Sequence, residues 1–464
     1  MQQLDAVVIG GGVVGCAILK QLAEGGMRVA MAEAGSDVGQ GISRANTAIT
    51  HTGFDAPPGT LEARLVSSAH RGFAALCQRL GVDTRPCGAL MVALDATDLA
   101  QLATYEHKAA LNGIEVARIE RAALLATHPY LNPIAQGRLC IPGEMPVDSF
   151  ALTLALARAA IAAGATIWLD EAAQAIEPHG QALAITTAKR RVHTTWVINA
   201  AGLAAAQIAA LVGDESFAIR PRKGQLIVID PAKAPPINMI LLPTPSPTTK
   251  GILITPAAHG NLLIGPTAED GDDLDDWATT PAGLAQVLSG VQRLVPSLQC
   301  EAAITQYAGL RSVGYECNGD QLRPASDYII RPAVGCPNLI HVAGIRSTGL
   351  SAAPAIAAFI AEWVGAAGHA TPAQTTVMQE AHPATEPLAD IPSSTKNSAA
   401  HLICPCSGVG LDQARAAAPS PRPPRPPRPP TTAPTPRSSA GHASAPSAMA
   451  RPTTRATWSS CVRR

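Results

Sequence analysis

The feature that most constrains this chain is a glycine-rich turn that joins an apolar run to a helical pattern near its start. The apolar run, Ala6 to Ile9, is short enough for a buried parallel strand, and the motif Gly10-x-Gly12-x-x-Gly15 follows it. A helical pattern covers Val13 to Glu24, and a second short apolar run then leads to Glu33. This order of strand, glycine turn, helix and strand predicts a βαβ unit and therefore an α/β protein with a parallel sheet.

Each glycine of the motif has a separate function. Gly10 permits the tight turn, Gly12 lets the backbone approach a pyrophosphate, and Gly15 lets the helix pack on the strand. The N-terminus of the helix adds amide donors and a partial positive charge. Glu33, about 20 residues further on, can accept hydrogen bonds from both hydroxyls of an adenosine ribose and would repel a 2'-phosphate. These residues predict a dinucleotide site.

Composition limits the partners and the location. The 464 residues are 47% apolar, have a formal net charge of zero and include only 3% aromatics, so nucleic acid is not an expected partner. The ten cysteines are scattered, which suits a reducing, cytoplasmic setting. We expect no signal peptide and no transmembrane segment, because the start lacks a basic region and every long apolar run contains charges. Peripheral association with the inner face of a membrane stays open.

The chain has three zones. Residues 1–370 alternate short β-rich runs with Ala/Leu-rich helical patterns, residues 371–400 read as a Pro/Thr/Ser linker, and residues 401–464 form a Pro- and Arg-rich tail without an acidic residue after Asp412. We predict that this tail is disordered, because such a composition cannot bury a core. Residues 272–276, an acidic cluster without EF-hand spacing, are expected to form a solvated loop.

Further elements follow from periodicity in the first zone. Helices are predicted over 61–80, 96–112 and 150–163, and strands over 165–169, 182–187 and 195–202. Longer strands over 225–229, 252–255 and 261–265 suggest a second, antiparallel sheet. We therefore expect a Rossmann-like dinucleotide-binding domain built from about 1–83, 151–217 and 331–370. A discontinuous antiparallel-sheet substrate domain would take about 84–150 and 218–330.

Several motifs together resemble a known family. They are the segment from Gly41 through Asn46 to His51, Asn199-Ala-Ala-Gly202, Pro221-Arg-Lys-Gly-Gln225, and a strand ending at Gly344 whose turn opens a long helix. With the first βαβ unit they are similar to the FAD-dependent oxidoreductases of the D-amino-acid-oxidase superfamily. Within it, the chain most resembles the glycerol-3-phosphate dehydrogenase large subunit and the 2-hydroxyglutarate oxidases. The resemblance covers residues 4 to about 367.

The resemblance implies FAD as the cofactor and no metal. Its motifs map the FAD contacts onto Gly10, Gly12, Val13, Gly15, Glu33, Ala34, Ser43, Asn46, Thr47, Ala173, Ala200, Gly202, Gly344, Gly349, Leu350 and Ser351. In such enzymes the flavin performs the redox step, while side chains bind the substrate and accept its proton.

Four residues are candidates for the chemistry. His51 is the candidate base, because a near-neutral imidazole suits proton transfer; the alternative is a histidine that only packs against flavin. Arg311 and Arg346 are candidates for binding a substrate anion, since a guanidinium suits phosphate or carboxylate; the alternative is surface ion pairs. Lys223 could contact the substrate or simply start a strand.

Three functions are compatible with these sequence features. The first is oxidation of a small anionic hydroxy compound, sn-glycerol 3-phosphate before others, with electrons passed to a quinone or a partner subunit. The second is a 2-hydroxy-acid or amino-acid oxidase that passes electrons to oxygen. The third is a flavin-binding redox scaffold without turnover.

The resemblance also bears on the tail. Related large subunits often end in a [2Fe-2S] domain that begins Ile-Cys-x-Cys, and Cys404-Pro-Cys406 matches this opening. The later sequence offers only Cys461, whereas a cluster needs four thiolates. We interpret the tail as a frame-shifted remnant of that domain; the alternative is a genuine Pro-rich segment with polyproline II character.

Overall fold

The computed structural model describes residues 3–245, 250–299, 302–319 and 321–366, and two short strands between residues 402 and 410. The helices are α1 (Val13–Glu24), α2 (Leu61–Leu80), α3 (Ala96–Leu111), α4 (Arg121–Thr127), α5 (Ser149–Ala162), α6 (Ala205–Ala210), α7 (Pro281–Leu294) and α8 (Gly349–Ala366).

The strands of the first half are β1 (Gln3–Ile9), β2 (Val29–Ala32), β3 (Ile49–Thr50), β4 (Ala89–Ala93), β5 (Ala117–Glu120), β6 (Gly137–Ile141), β7 (Met145–Pro146), β8 (Thr166–Trp168), β9 (Ala173–His179), β10 (Ala182–Thr187) and β11 (Arg191–Asn199). Those of the second half are β12 (Phe217–Ile229), β13 (Ile240–Pro243), β14 (Leu253–Pro256), β15 (Leu262–Gly265), β16 (Glu269–Asp270), β17 (Ala303–Asn318), β18 (Gln321–Pro324), β19 (Ile329–Ala333), β20 (Cys336–Ala343), β21 (Leu402–Cys404) and β22 (Val409–Gly410).

The first sheet has the strand order β19-β20-β11-β1-β2-β8, with the β9–β10 hairpin attached to β11. Strands β20, β11, β1, β2 and β8 run parallel. Both faces are covered: α1, α5 and α8 pack on one side with Val8 and Ile340, and Val7 and Leu339 lie in a second buried cluster on the other. Because the strands are parallel, β1, β11 and β20 end at one edge, where ligands bind in open α/β sheets.

The second sheet has the order β18-β17-β12-β15-β14-β13-β4-β6-β5, with β16 paired to β12. Its pairings are antiparallel except for β13 with β4. Helix α7 packs against Leu90 and Ile227 on one face of this sheet. Met91 of β4 and Leu102 of α3 lie in a separate buried cluster. The central strand β4 is buried along its whole length because both of its faces are covered.

The predicted α/β fold class is confirmed. Helices α1 and α2 and strand β10 have the bounds expected from periodicity, whereas β12 begins at Phe217 rather than at Gln225. The first sheet draws its strands from residues 3–32, 166–199 and 329–343, and the second from residues 89–141 and 217–324. The division into two domains stays a prediction.

Most of the predicted linker and tail lies outside the described residues, including Cys406 and Cys461. The chain divides into two units, Met1–Asp390 and Ile391–Arg464, and both large sheets belong to the first. In the second unit, β21 and β22 pair antiparallel. The frame-loss interpretation of the tail therefore stays a prediction. Among the helices described, none is long and apolar enough to cross a membrane.

Candidate active site

Two adjoining clefts open at the edge where the parallel strands end. The glycine cleft holds about 1140 Å³ of empty space, partly open to solvent, and is lined by the Gly10–Gly12 turn, Glu33 and Trp277 among others. The arginine cleft holds about 950 Å³ and is lined by residues of both sheets, including Arg311 and Arg346. Because the clefts share Gly12, Ile42, Ser43, Ala200 and Gly202, they form one continuous site.

The glycine turn is tight because it packs directly against neighbouring backbone. Gly10 has a φ of 106°, and a Cβ there would lie 2.5 Å from the Ala200 carbonyl oxygen. A Cβ at Gly15 would lie 1.9 Å from the carbonyl oxygen of Gly10. Gly12 is the N-cap of α1 without a side-chain cap, while Val13 donates its N–H to Ser43 Oγ at 2.9 Å. The start of α1 therefore faces the cleft with its partial positive charge.

Glu33 is fixed beside this turn. Its two carboxylate oxygens accept the N–H groups of Gly11, at 2.5 Å, and of Gly35, at 2.6 Å. Charge-assisted hydrogen bonds of this kind hold the carboxylate in one orientation. The side chain therefore presents a positioned acceptor at the glycine cleft, as the sequence predicts for a ribose-binding acid.

The strand that carries Arg311 packs closely against the loop that follows the first βαβ unit. A Cβ at Gly309 would lie 1.9 Å from the Ala45 carbonyl oxygen, and Tyr307 donates its hydroxyl to the Asn46 carbonyl at 2.7 Å. Both segments line the arginine cleft. The contact sets the width of the cleft between the two sheets.

Arg311 brings a cation into this cleft without a carboxylate partner. Its Nη2 donates to the carbonyl oxygens of Thr267, at 2.6 Å, and Lys223, at 3.4 Å, and among the described residues it forms no ion pair. Burial, together with the nearby charge of Arg222, lowers the pKa of Arg311 to about 10, and the charge of Asp270 opposes this only in part. A desolvated cation of this kind is stabilised by a bound anion.

Arg346 also lines the arginine cleft, but its charge is compensated. Its Nη2 lies 2.5 Å from Glu62 Oε2, and the other oxygen of Glu62 accepts the Thr348 hydroxyl at 2.7 Å. The Tyr328 hydroxyl is 2.6 Å from Thr348 Oγ1. Arg346 has a φ of 56°, in the left-handed region that non-glycine residues seldom adopt, and its backbone N–H donates to the Ser312 carbonyl at 3.1 Å. The two candidate arginines are therefore electrostatically different.

Lys223 lies outside both clefts, so a contact of its side chain with the substrate stays a prediction. Its ammonium is 2.6 Å from Asp276, and the adjacent Gly224 lines the arginine cleft instead. Successive residues of a strand face opposite sides, so the two neighbours cannot both face the cleft. The acidic cluster 272–276, predicted as a solvated loop, pairs with cations of β12: Asp272 lies 3.5 Å from Arg220, and Asp276 lies 2.6 Å from Lys223.

His51 is held beside the cleft rather than among the residues that line it. Its backbone N–H donates to Ser351 Oγ at 2.8 Å, and Ser351 follows Leu350, which lines the arginine cleft. Its Nδ1 is 2.8 Å from Oε2 of Glu144, a carboxylate with no solvent exposure. Glu144 was not a sequence-based candidate, because it lies in a short Pro-Gly-Glu segment without a motif.

The structure places most of the predicted cofactor residues on the clefts. These are Gly10, Gly12, Val13, Glu33, Ser43, Asn46, Thr47, Ala200, Gly202, Gly349 and Leu350. Five others do not line either cleft, namely Gly15, Ala34, Ala173, Gly344 and Ser351. Sequence reasoning missed Leu226, Pro266, Trp277 and Ser312, because only the pairing of the second sheet brings them to the site.

A buried network supports the Asn199-Ala-Ala-Gly202 turn. Asn199 Nδ2 donates to the Ala205 carbonyl at 2.8 Å and lies 3.0 Å from His341 Nδ1, and His341 Nε2 lies 3.1 Å from Asp214. Burial lowers the pKa of His341. For Asp214, burial acts to raise the pKa, but hydrogen bonds from Ser216, Val334 and His341 outweigh it and lower the pKa to about 2.

This network predicts acid sensitivity. Because the pKa of His341 is lower in the folded state, the unfolded chain binds more protons, and stability is lost as the pH falls below about 6.5. We expect the thermal midpoint of the cofactor-loaded protein to fall by several degrees between pH 7.5 and 5.5. His341→Gln should flatten this dependence, whereas the exposed His107→Gln should not. An equally steep dependence in His341→Gln would contradict the assignment.

Comparison with known proteins identifies the class. The family model described as DAO, FAD dependent oxidoreductase, matches residues 5–363. The fold, the glycine turn and this match define a flavin-dependent oxidoreductase. The chain belongs to the DAO family of FAD-dependent oxidoreductases.

Individual proteins of known activity are also similar to this chain in sequence. The chain is 35% identical over 357 residues to a glycerol 3-phosphate dehydrogenase of Caloramator mitchellensis, a match that covers 77% of this chain and 72% of the relative. It is 27% identical to an L-2-hydroxyglutarate dehydrogenase of Salmonella houtenae, over 57% of this chain and 64% of the relative. Among solved structures, it resembles dithionite-reduced L-alpha-glycerophosphate oxidase of Mycoplasma pneumoniae with FAD bound. That structure has a TM-score of 0.73 and 27% identity, and the match covers 79% of this chain and 95% of the oxidase.

Proposed function

We propose that the chain oxidises sn-glycerol 3-phosphate to dihydroxyacetone phosphate. The observation that carries the proposal is Arg311, a desolvated cation without a carboxylate partner in a cleft shared by both sheets. A phosphate monoester carries up to two negative charges and is recognised well by a guanidinium. Similarity to the Caloramator dehydrogenase and the Mycoplasma oxidase supports this substrate.

The residues of the site fit the FAD that the family uses. The Gly10–Gly12 turn lines the glycine cleft without side chains, and the start of α1, where Gly12 gives no side-chain cap, suits a pyrophosphate. We infer that Gly10, Gly12, Glu33 and Ser43 hold the adenosine diphosphate part, and that the arginine cleft holds the flavin and the substrate. When bound, FAD supplies the acceptor for the hydride that leaves the substrate carbon.

The chain itself would supply four contributions to the reaction. Arg311 binds the anionic end of the substrate, and Arg346, held by Glu62, forms part of the wall of the arginine cleft. His51 accepts the hydroxyl proton. The apolar residues Leu226, Pro266 and Ile345 exclude water from the reacting carbon.

Anaerobic flavin bleaching tests the substrate assignment. We expect glycerol 3-phosphate to reduce the flavin at least about tenfold faster than 2-hydroxyglutarate, glycine or proline, because differences in one charged group are worth a few kcal/mol. Faster bleaching by 2-hydroxyglutarate would favour the second candidate, a 2-hydroxy-acid dehydrogenase. That candidate is supported by the relative from Salmonella and by the equal ability of a guanidinium to bind carboxylate.

The electron acceptor is a separate question. We propose a quinone or a partner protein, with oxygen as the alternative, since the relatives include both a dehydrogenase and an oxidase. Stoichiometric hydrogen peroxide during aerobic turnover would establish oxygen as the acceptor. Rapid turnover with a soluble quinone and little peroxide would support the first assignment.

A further inference from the structure

A buried carboxylate is directed at the proposed base. Glu144 has no solvent exposure, and its two oxygens serve different partners. Oε1 accepts the backbone N–H of Thr52 at 2.7 Å and its hydroxyl at 3.0 Å, while Oε2 lies 2.8 Å from His51 Nδ1. With three hydrogen-bonding partners, this carboxylate is held in one orientation.

We propose that Glu144 is the positioning residue for His51. An ionised carboxylate can only accept, so it requires a proton on Nδ1 and leaves the lone pair of the neutral imidazole on Nε2. The inference rests on the proposed function, because it concerns the base of that reaction. It assigns a role to a residue 93 positions away from His51 in the chain.

The transfer of the hydroxyl proton of the substrate to His51 accompanies the loss of a hydride from the substrate carbon. The substrate O–H bond breaks, its proton bonds to Nε2, and its electron pair forms the second bond of the carbonyl as a hydride leaves the carbon with the two electrons of the C–H bond. Bound FAD would supply the acceptor for that hydride. The imidazolium that results lies beside the negative charge of Glu144. A positioned carboxylate therefore both selects the tautomer and stabilises the protonated base.

The other charged groups around His51 are already paired. Asp55 and Lys250 lie 2.6 Å apart, and Glu62 pairs with Arg346. Burial acts to raise the pKa of Asp55, but the charge and the hydrogen bond of Lys250 outweigh it and lower that pKa. His70 on α2 also faces this region, and burial lowers its pKa. Of these groups, Glu144 is the one that bonds directly to the imidazole.

A double-mutant cycle tests this role. Glu144→Gln keeps the size but removes the charge, so we expect anaerobic flavin reduction to slow by about 100-fold. Its acidic limb should move to lower pH by about one unit, because an imidazolium loses its countercharge. His51→Asn should slow reduction by about 100-fold and abolish the acidic limb. In the His51→Asn background, Glu144→Gln should change the rate by less than about twofold.

Controls separate positioning from packing. His259→Asn breaks another imidazole–carboxylate contact, to Asp148, at a partly exposed position outside both clefts, and should leave the reduction rate unchanged. Flavin content and the thermal midpoint are measured for every variant. Unaltered rate and pH profile in Glu144→Gln, or an equal loss with and without His51, would overturn the inference.

A second readout does not depend on turnover. Nitrogen-15 NMR of histidine-labelled protein, with the His51 signals assigned by their loss in His51→Asn, reports the tautomer directly. We expect the neutral ring with its proton on Nδ1, and a proton on Nε2 would overturn the inference even in a folded, flavin-loaded protein. If no hydroxy compound bleaches the wild-type flavin, the proposed function fails, while the tautomer still decides the role of Glu144.

Discussion

Arg311→Ala is expected to lower kcat/KM for glycerol 3-phosphate by roughly 30- to 1000-fold, while the FAD content stays normal. Loss of a charged hydrogen bond to a desolvated anion is worth about 2 to 4 kcal/mol, which gives this range. The effect should be large because no carboxylate among the described residues pairs with Arg311, so the substrate anion supplies its countercharge. Steady-state kinetics with an artificial acceptor measures it.

Arg222→Ala provides the matched control for this prediction. Arg222 lies opposite Arg311 in the β12–β17 pairing, but its guanidinium pairs with Asp270 and does not line either cleft. The charge of Arg222 lies near Arg311 but is balanced by its ion pair with Asp270, and a partly exposed ion pair contributes little, so kcat/KM should change by less than about threefold. Equal losses in the two variants, or full activity in Arg311→Ala, would remove Arg311 from the substrate site.

Glu33→Arg is expected to abolish retention of FAD during purification. The substitution removes the acceptor held by Gly11 and Gly35 and introduces a cation that suits a 2'-phosphate rather than a ribose hydroxyl. A loss of about 3 kcal/mol corresponds to a dissociation constant more than about 100-fold higher. The ratio of flavin to protein absorbance after gel filtration measures the effect.

Glu24→Arg makes the same change of charge at the end of α1, where Glu24 pairs with Lys20 on the surface. The flavin content of the Glu24→Arg variant should equal that of the parent protein. A yellow Glu33→Arg protein with an unaltered flavin ratio would contradict the assignment of Glu33 to the ribose.

The predictable part of the fold is the part that local sequence determines. The glycine turn, α1 and Glu33 lie within one βαβ unit, so strand length, helical period and glycine spacing were enough to place them. Helix α7 and the 16-residue strand β17 were not predicted. Their form depends on packing against β12 and β15, which lie far away in the sequence.

In the candidate site, too, the side-chain contacts that could not be predicted are those between residues far apart in the sequence. The family resemblance was enough to select Arg311 and Arg346 as site residues. It could not show that Arg346 is paired with a carboxylate while Arg311 is not, because that carboxylate, Glu62, is 284 positions from Arg346. Whether Lys223 contacts the substrate or simply starts a strand stayed open, because a strand sequence does not reveal which face meets a cleft. Glu144 was missed for a similar reason, since its contact with His51 is created by the pairing of β3 with β7 and leaves no local pattern.

The contact between Gly309 and Ala45 has a thermodynamic consequence. The loop that contains Ala45 and the strand that bears Arg311 are in direct contact, since even one methyl group would not fit between them. We expect a shift of this loop on loading with FAD to displace the guanidinium two residues further along β17. Occupancy of the two halves of the site is then linked, and by reciprocity each ligand changes the affinity for the other by the same factor. The empty apoprotein should hold a phosphate anion more weakly than the flavoprotein does.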